Sequence, residues 1–450
     1  MSSYIIKNTH LVNEGKTVVT DVLVKNQRIE RIDPTIDAKE RVTEMNGEGL
    51  ILMPGIIDDQ VHFREPGLTH KATIQTEARA GVAGGVTSYM EMPNVNPLTL
   101  TIDLLEEKYA IASRNSLANY SFYMGTGNHN YEELLKVDKQ KVCGIKIFMG
   151  SSTGDMLVDN EALLEKIFCT RNDILIATHC EDDKLVKLRT EMYTQKYGED
   201  IPFWAHPEIR NEEVCLNSSS LAVRIAKKCN ARLHILHITT ADELALFSND
   251  IPLENKRITS EVCVHHLWFD KSDYEHLGSK IKCNPAIKEA HHKRALFEAL
   301  LDDRLDVIAT DHAPHTWEEK NNKYAKAPAG LPLLQHSLNM MLEFNQQGKI
   351  SLEKIVEKMC HKPAICFDVK ERGFVREGYF ADLVLLDLNK SYKVGDANDA
   401  GKIHYKCGWS PLEGHTFKGK VQHTFVSGHL AYSHGQFNES KTGERLYFNR

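Results

Sequence analysis

Along this chain the rhythm of apolar and polar positions changes twice. The first fifty residues alternate in short runs, SYIIKN, TDVLVKNQRIERI and GEGLILMPGI, broken by turn signals such as Lys25-Asn26-Gln27. That is the pattern of half-buried strands. The same texture returns from about Gly378, in ADLVLLDL and in VQHTFVSGHLAYSHGQF with a turn at Gly428-His429. Between these ends, eight apolar runs alternate with longer segments of helical period. They are GIIDDQVHF (55–63), VTSYMEMP (86–93), NYSFYMGT (119–126), VCGIKIFMG (142–150), ILIATH (174–179), RLHILHIT (232–239), RITSEVCVH (257–265) and LDVIATDHA (305–313). Stretches between them, HKATIQTEARAGVAGG and SSSLAVRIAKKC among them, place apolar residues at helical spacing with charges in the gaps. Eight such alternations predict an α/β chain built on a parallel (β/α)₈ barrel. We expect residues 1–53 and 371–450 to form a β-rich satellite and 54–370 the barrel, with a helical insert between His179 and Arg232 and a loop at NNKYAKAPAG.

Composition narrows this picture. A chain of 450 residues allows about three domains at roughly 150 residues each, and the strand count selects a barrel with a satellite instead. Hydrophobic residues at 42% and charged residues at 26% are ordinary for a chain that folds throughout. With 55 Lys plus Arg against 62 Asp plus Glu and a net charge of -7, there is no basic excess to attract a phosphate backbone or an anionic lipid surface. Nucleic acid is therefore not expected as a partner. The start MSSYIIKNTH lacks a signal-peptide pattern, and no run approaches the roughly 20 apolar residues of a membrane span. We expect a cytoplasmic protein with no membrane contact. Ten cysteines without a C-x-x-C pair read as reduced, mostly buried thiols.

The 22 histidines matter by where they fall. Barrel enzymes build their sites at the carboxyl ends of the strands. There the first run carries Gln60-Val61-His62, the fourth Lys146, the fifth His179, the sixth His237 and the eighth Asp311. One strand-end histidine is commonly structural. Polar groups at the ends of five strands supply imidazole, carboxylate and amine suited to a borderline divalent cation. Lys146 lies in an otherwise apolar strand, where a bare ammonium carries a large desolvation cost.

The blocks DQVHFREPG (59–67), MPN (92–94), HCED (179–182), LHILHIT (233–239), CNP (283–285) and ATDHAPHTWEEK (309–320) resemble the dihydroorotases of the cyclic amidohydrolase group. The resemblance spans the barrel and both ends, which in that family combine into a small composite β-sandwich. It implies a zinc enzyme with one or two ions per subunit, His62, His179 and His237 as ligands, and Lys146 as a carbamylated bridge. Asp311 would be both a ligand and the catalytic acid or base. Arg64, Asn94, Asn284 and His315 would hold the substrate, with the backbone of Ala329 and Gly330 closing over its ring. The implied reaction is reversible hydrolysis of dihydroorotate to N-carbamoyl-aspartate, a step of pyrimidine synthesis, and a homodimer is common in the family.

One position departs from the family: its H-x-H on strand one is here Gln60-Val61-His62, and an amide oxygen is a weaker ligand than imidazole. Some bacterial relatives bridge their metals with an aspartate after strand four, for which Asp155 is the counterpart, although the KIFMG context favours Lys146. Sister hydantoinases and allantoinases resemble H-x-H-x-D in the first motif, where this chain has Arg64, a fork suited to a carboxylate. A non-catalytic, dihydroorotase-like partner of aspartate transcarbamoylase is the alternative from a different class.

Overall fold

The computed structural model describes residues 3–37, 42–151, 154–396 and 401–450. The amino-terminal alternation forms β1 (Ser3–Asn13), β2 (Lys16–Lys25), β3 (Arg28–Asp33), β4 (Thr43–Asn46) and β5 (Ile51–Pro54). The middle contributes β6 (Ile56–Val61), β7 (Val86–Glu91), β8 (Asn119–Phe122), β9 (Met124–Gly125), β10 (Ile145–Phe148), β11 (Leu175–His179), β12 (Arg232–Ile235), β13 (Ile258–Cys263) and β14 (Val307–Ala309). The carboxyl-terminal part adds β15 (Leu383–Lys393), β16 (Thr416–Val426), β17 (His429–Ser433) and β18 (Gln436–Phe437).

The nine middle strands make the barrel. All of them pair in parallel, as β6-β7-β8 and as β14-β13-β12-β11-β10-β9. β8 and β9 are two halves of one barrel strand, interrupted at Tyr123, whose hydroxyl donates to the Asp59 carbonyl at 2.9 Å. The ring closes where the His62 amide donates to the His312 carbonyl at 2.8 Å and Val61 bridges His312 in parallel. Eight strands thus close a (β/α)₈ barrel whose strands are buried on both faces, which is why they read as continuous apolar runs.

Strands from both chain ends form one further sheet in the order β18-β17-β16-β15-β5-β1-β2-β3, with β4 also paired to β1. β5 is the seam: it runs parallel to β1 and antiparallel to β15, with Leu52 opposite both Leu11 and Leu385. The alternation of apolar residues has its use here, since Ile6, Leu11, Val22, Val24, Ile29, Leu52, Leu383, Leu385 and Phe425 meet in one buried cluster.

Helices dress the barrel. The first, Ile74–Ala83, starts at a capping box between Thr73 and Thr76 and buries Ile74, Ala78 and Val82. The insert after His179 is helical as expected, with helices at Asp183–Tyr197, His206–Ile209 and Glu212–Cys229. The reading of ten unpaired thiols is corrected at one place: Cys169 and Cys229 are joined as a disulfide. Helices Glu161–Thr170 and Glu212–Cys229 pack side by side, which brings together two residues 60 positions apart. The other eight cysteines are free thiols, seven of them buried. Among the described residues no helix is long and apolar enough to cross a membrane.

Candidate metal centre and active site

The carboxyl ends of the barrel strands bring the expected residues together. His62 lies just past β6, Lys146 is in β10, His179 ends β11, His237 follows β12 by two residues and Asp311 follows β14 by two. Three of the site residues hold backbone angles that non-glycine residues rarely adopt, with φ of 67° at Arg64, 40° at His237 and 47° at Asp311. Such strain persists only where the surroundings enforce a particular side-chain direction.

Two halves can be distinguished. In one, His179 Nδ1 and His237 Nε2 face each other at 2.9 Å, and Lys146 Nζ is buried without a hydrogen-bond partner among the described residues. Burial drives the Lys146 amine down to about 7 against the opposing pull of Asp311 and Glu261, and it pushes both histidines below their ordinary range. Two imidazoles held neutral by burial, with one ring nitrogen of each at the same place, suit a divalent cation, which would displace the proton they share. In the other half, His62 Nε2 lies 3.1 Å from Asp311 Oδ1 and Gln60 Nε2 donates to the same oxygen at 3.2 Å. His62 Nδ1 pairs with Asn94 Oδ1 at 2.8 Å. Asn94, expected at the substrate, therefore also orients His62, because a bond to one ring nitrogen aims the other. The orphaned Lys146 amine and the facing imidazoles fit a divalent cation held by Lys146, His179 and His237. His62 and Asp311 would complete the donor set.

Asp155 is not part of this arrangement. It sits in a short turn, Gly154–Met156, with Oδ1 3.9 Å from His129 Nε2 and Oδ2 against Gly127.

A carboxylate two residues past the end of β11 supports the site from behind. Glu181 Oε2 accepts from His179 Nε2 at 2.8 Å and from Arg210 at 2.6 Å, with Ser151 Oγ also bonded to it. The bond fixes the His179 tautomer with Nδ1 free to ligate. The visible signal was its place in HCED, two residues beyond His179, while Arg210 comes from the distant helical insert. Glu181→Gln should weaken metal binding by about 10–100-fold, read by competition against a chromogenic chelator. An unchanged affinity would remove Glu181 from this role.

Beside the centre lies a cationic pocket. Arg64 is buried; its Nε donates to the Pro314 carbonyl at 3.1 Å and its Nη2 lies 3.1 Å from His315 Nε2. Lys71 Nζ approaches His315 Nδ1 at 3.1 Å and pairs with Glu319 at 3.2 Å. Burial, reinforced by Arg64 and Lys71, holds His315 well below its ordinary range. Among the described residues no carboxylate pairs with Arg64. Asn284 leaves its Oδ1 buried without a partner.

The loop over this pocket is tightly held. Lys320, fully buried, donates to the carbonyls of Lys282, Pro328 and Gly330 at 2.7–2.9 Å, and the Gly330 amide donates to Lys282 at 2.9 Å. Both backbone groups of Gly330 are thus engaged within the loop, and the Ala329 carbonyl meets His315 at 3.0 Å. Gly330 has φ 130°, and a Cβ there would lie 2.6 Å from the Ala313 carbonyl, so no other residue fits.

The chain is similar to known proteins over most of its length. Residues 51–431 match the model of the amidohydrolase family. A dihydroorotase of Halobacterium salinarum is 32% identical over 406 residues, covering 88% of this chain and 90% of that protein. A dihydroorotase of Lactococcus lactis is 32% identical over 439 residues, covering 95% and 99%. Among solved structures, an L-hydantoinase (dihydropyrimidinase) from Arthrobacter aurescens superposes with a TM-score of 0.91 at 27% identity, covering 97% of this chain and 98% of that one.

Proposed function

Since the chain belongs to the amidohydrolase family, we propose that it hydrolyses a cyclic amide that carries a carboxylate, specifically dihydroorotate, to N-carbamoyl-aspartate and back. The observation that carries this reading is Arg64. A buried guanidinium with no carboxylate partner is costly, and an anionic substrate offsets that cost when it docks. Arg64 offers a planar fork for the substrate carboxylate, with His315 and Lys71 beside it. A ring without a carboxylate leaves the fork unpaired.

Lys146, His179, His237, His62 and Asp311 would hold a metal ion, zinc by the resemblance of the donor set, and bound there it would supply Lewis acidity toward the ring carbonyl and toward water. Asp311 handles the proton. Its contacts with His62 and Gln60 both fall on Oδ1, which leaves Oδ2 to accept a proton from the attacking water and pass it to the departing ring nitrogen. The amide C–N bond breaks, the water oxygen stays on the new carboxyl group, and the nitrogen leaves protonated. Lys146 is buried with its amine near neutrality, so its lone pair is available for carbon dioxide. Bonding to that carbon and loss of one proton would give a carbamate, which would add oxygen ligands to a donor set that otherwise has a bare amine at this position. The unpartnered Nζ supports this assignment over Asp155.

Arg64→Met tests the reading. With dihydroorotate, kcat/KM should fall by about 100-fold, the scale of a charge-assisted hydrogen-bonded pair, with metal content unchanged. Kinetics equal to the parent protein would remove Arg64 from the substrate site. The hydantoinase-type reading rests on the structural match to the Arthrobacter aurescens protein and predicts that unchanged result for an uncharged ring.

A further inference from the structure

A second constellation stands on the wall of the same barrel mouth and takes no part in the chemistry above. Cys263 ends β13 and the next residues open a short helix, Val264–Trp268. Their direction of travel places Cys263, His265 and His266 so that one ligand atom from each lies within 4.8 Å of the others. All three are almost wholly removed from solvent, at 0%, 0% and 4% exposure.

Their polar atoms are poorly used. Among the described residues neither ring nitrogen of His265 has a hydrogen-bond partner of normal geometry, although the Thr310 backbone lies close by, and His266 Nδ1 has none. His266 Nε2 meets the Pro285 carbonyl at 3.1 Å, an arrangement that makes Nε2 the donor and leaves the Nδ1 lone pair free. Among the described residues Cys263 Sγ meets two distant oxygens, Gln60 Oε1 and Glu261 Oε1, each at 3.8 Å. Buried polar groups are almost always satisfied. Three unsatisfied nitrogens and a thiol in one place are a donor set without an acceptor.

We propose that Cys263, His265 and His266 form a separate site for a borderline-soft divalent cation, zinc foremost, beside the main centre. The set is one thiolate and two imidazoles, the ligand types zinc takes in tetrahedral sites. Zinc–sulfur and zinc–nitrogen bond lengths give ligand-to-ligand edges of about 3.3–3.6 Å, so modest side-chain rotations close the cluster onto an ion. As the metal–sulfur bond forms, the Cys263 thiol releases its proton to solvent. Gln60 Oε1 takes the fourth position: Glu261 Oε1 already accepts the His237 amide at 3.1 Å, whereas Gln60 Oε1 meets only the sulfur. The amide that replaces the first histidine of strand one thereby acquires a role at this neighbouring site.

Sulfur is what makes the test selective, because the main donor set of Lys146, His179, His237, His62 and Asp311 contains none. The full-length metal-free protein is titrated with cobalt(II), which takes the same ligands as zinc, while sulfur-to-cobalt charge transfer and bound cobalt are measured. The parent protein should develop the charge-transfer band and bind one more cobalt than Cys263→Ser, which should lack the band. Cys180→Ser, altered beside His179, should keep it. If Cys263→Ser does not fold, His265→Asn should move the band's midpoint to about tenfold higher cobalt or more. No band in the parent protein, a band that survives in Cys263→Ser, or an unmoved midpoint in His265→Asn would overturn the proposal.

Discussion

Asp311→Asn is expected to lower kcat for dihydroorotate by about 10²–10⁴-fold, the range of a lost acid or base group, with the fold intact by circular dichroism. The amide keeps the size and hydrogen-bonding shape of the carboxylate, so the contacts from Gln60 and His62 to this side chain have a counterpart in the variant. What it loses is the capacity to accept a proton. Part of the effect is also a weakened ligand, so kcat is measured at metal concentrations that saturate the variant. A loss of less than about tenfold under those conditions would mean that another group carries the proton.

Lys146→Met has two effects of opposite sign. Activity should fall by more than about 100-fold, the upper end of what outer-shell partners of a metal cost, and bound metal should drop with it, since the proposed carbamate can no longer form. The metal-free variant should nonetheless be more stable than the metal-free parent by about 1–3 kcal/mol, because methionine removes a buried amine with no hydrogen-bond partner and leaves an apolar chain of similar length. Thermal melts of both proteins in excess chelator measure this. A metal-free variant that melts below its parent, or one that retains full metal, would show that Lys146 is a structural lysine and not a ligand held in readiness.

Much of the barrel was legible because parallel strands buried on both faces must be apolar. The run at 174–179 became β11 (Leu175–His179), and the run at 119–126 became β8 and β9 on either side of Tyr123. The runs at 232–239 and 305–313 overshot their strands, β12 ending at Ile235 and β14 at Ala309. Their tails are the positive-φ turns that carry His237 and Asp311. The site residues were legible for a related reason: a polar residue at the end of an apolar run is conspicuous.

What escaped was everything that depends on partners distant in sequence. Glu181 and Arg210, 29 residues apart, look like ordinary surface charges until the insert folds back over His179. Lys71 gains its meaning only beside His315. His265 and His266 lie at and just beyond the end of an apolar run, and nothing local distinguishes an unsatisfied imidazole from a satisfied one. The Cys169–Cys229 pair depends on two helices lying side by side. Gln60 was visible as a departure from its family, but its contacts with Asp311 and Cys263 required the folded barrel.

If the buried cationic pocket selects a carboxylate-bearing ring, two substrates reveal it. Dihydroorotate and dihydrouracil share one six-membered ring and differ in the carboxylate. With metal-loaded protein, kcat/KM for dihydroorotate should exceed that for dihydrouracil by at least about 10³-fold, since a site built around a buried charge rejects the analogue that leaves it unpaired. Equal turnover of the two, faster turnover of dihydrouracil, or hydrolysis of neither by the fully metal-loaded protein would contradict the account.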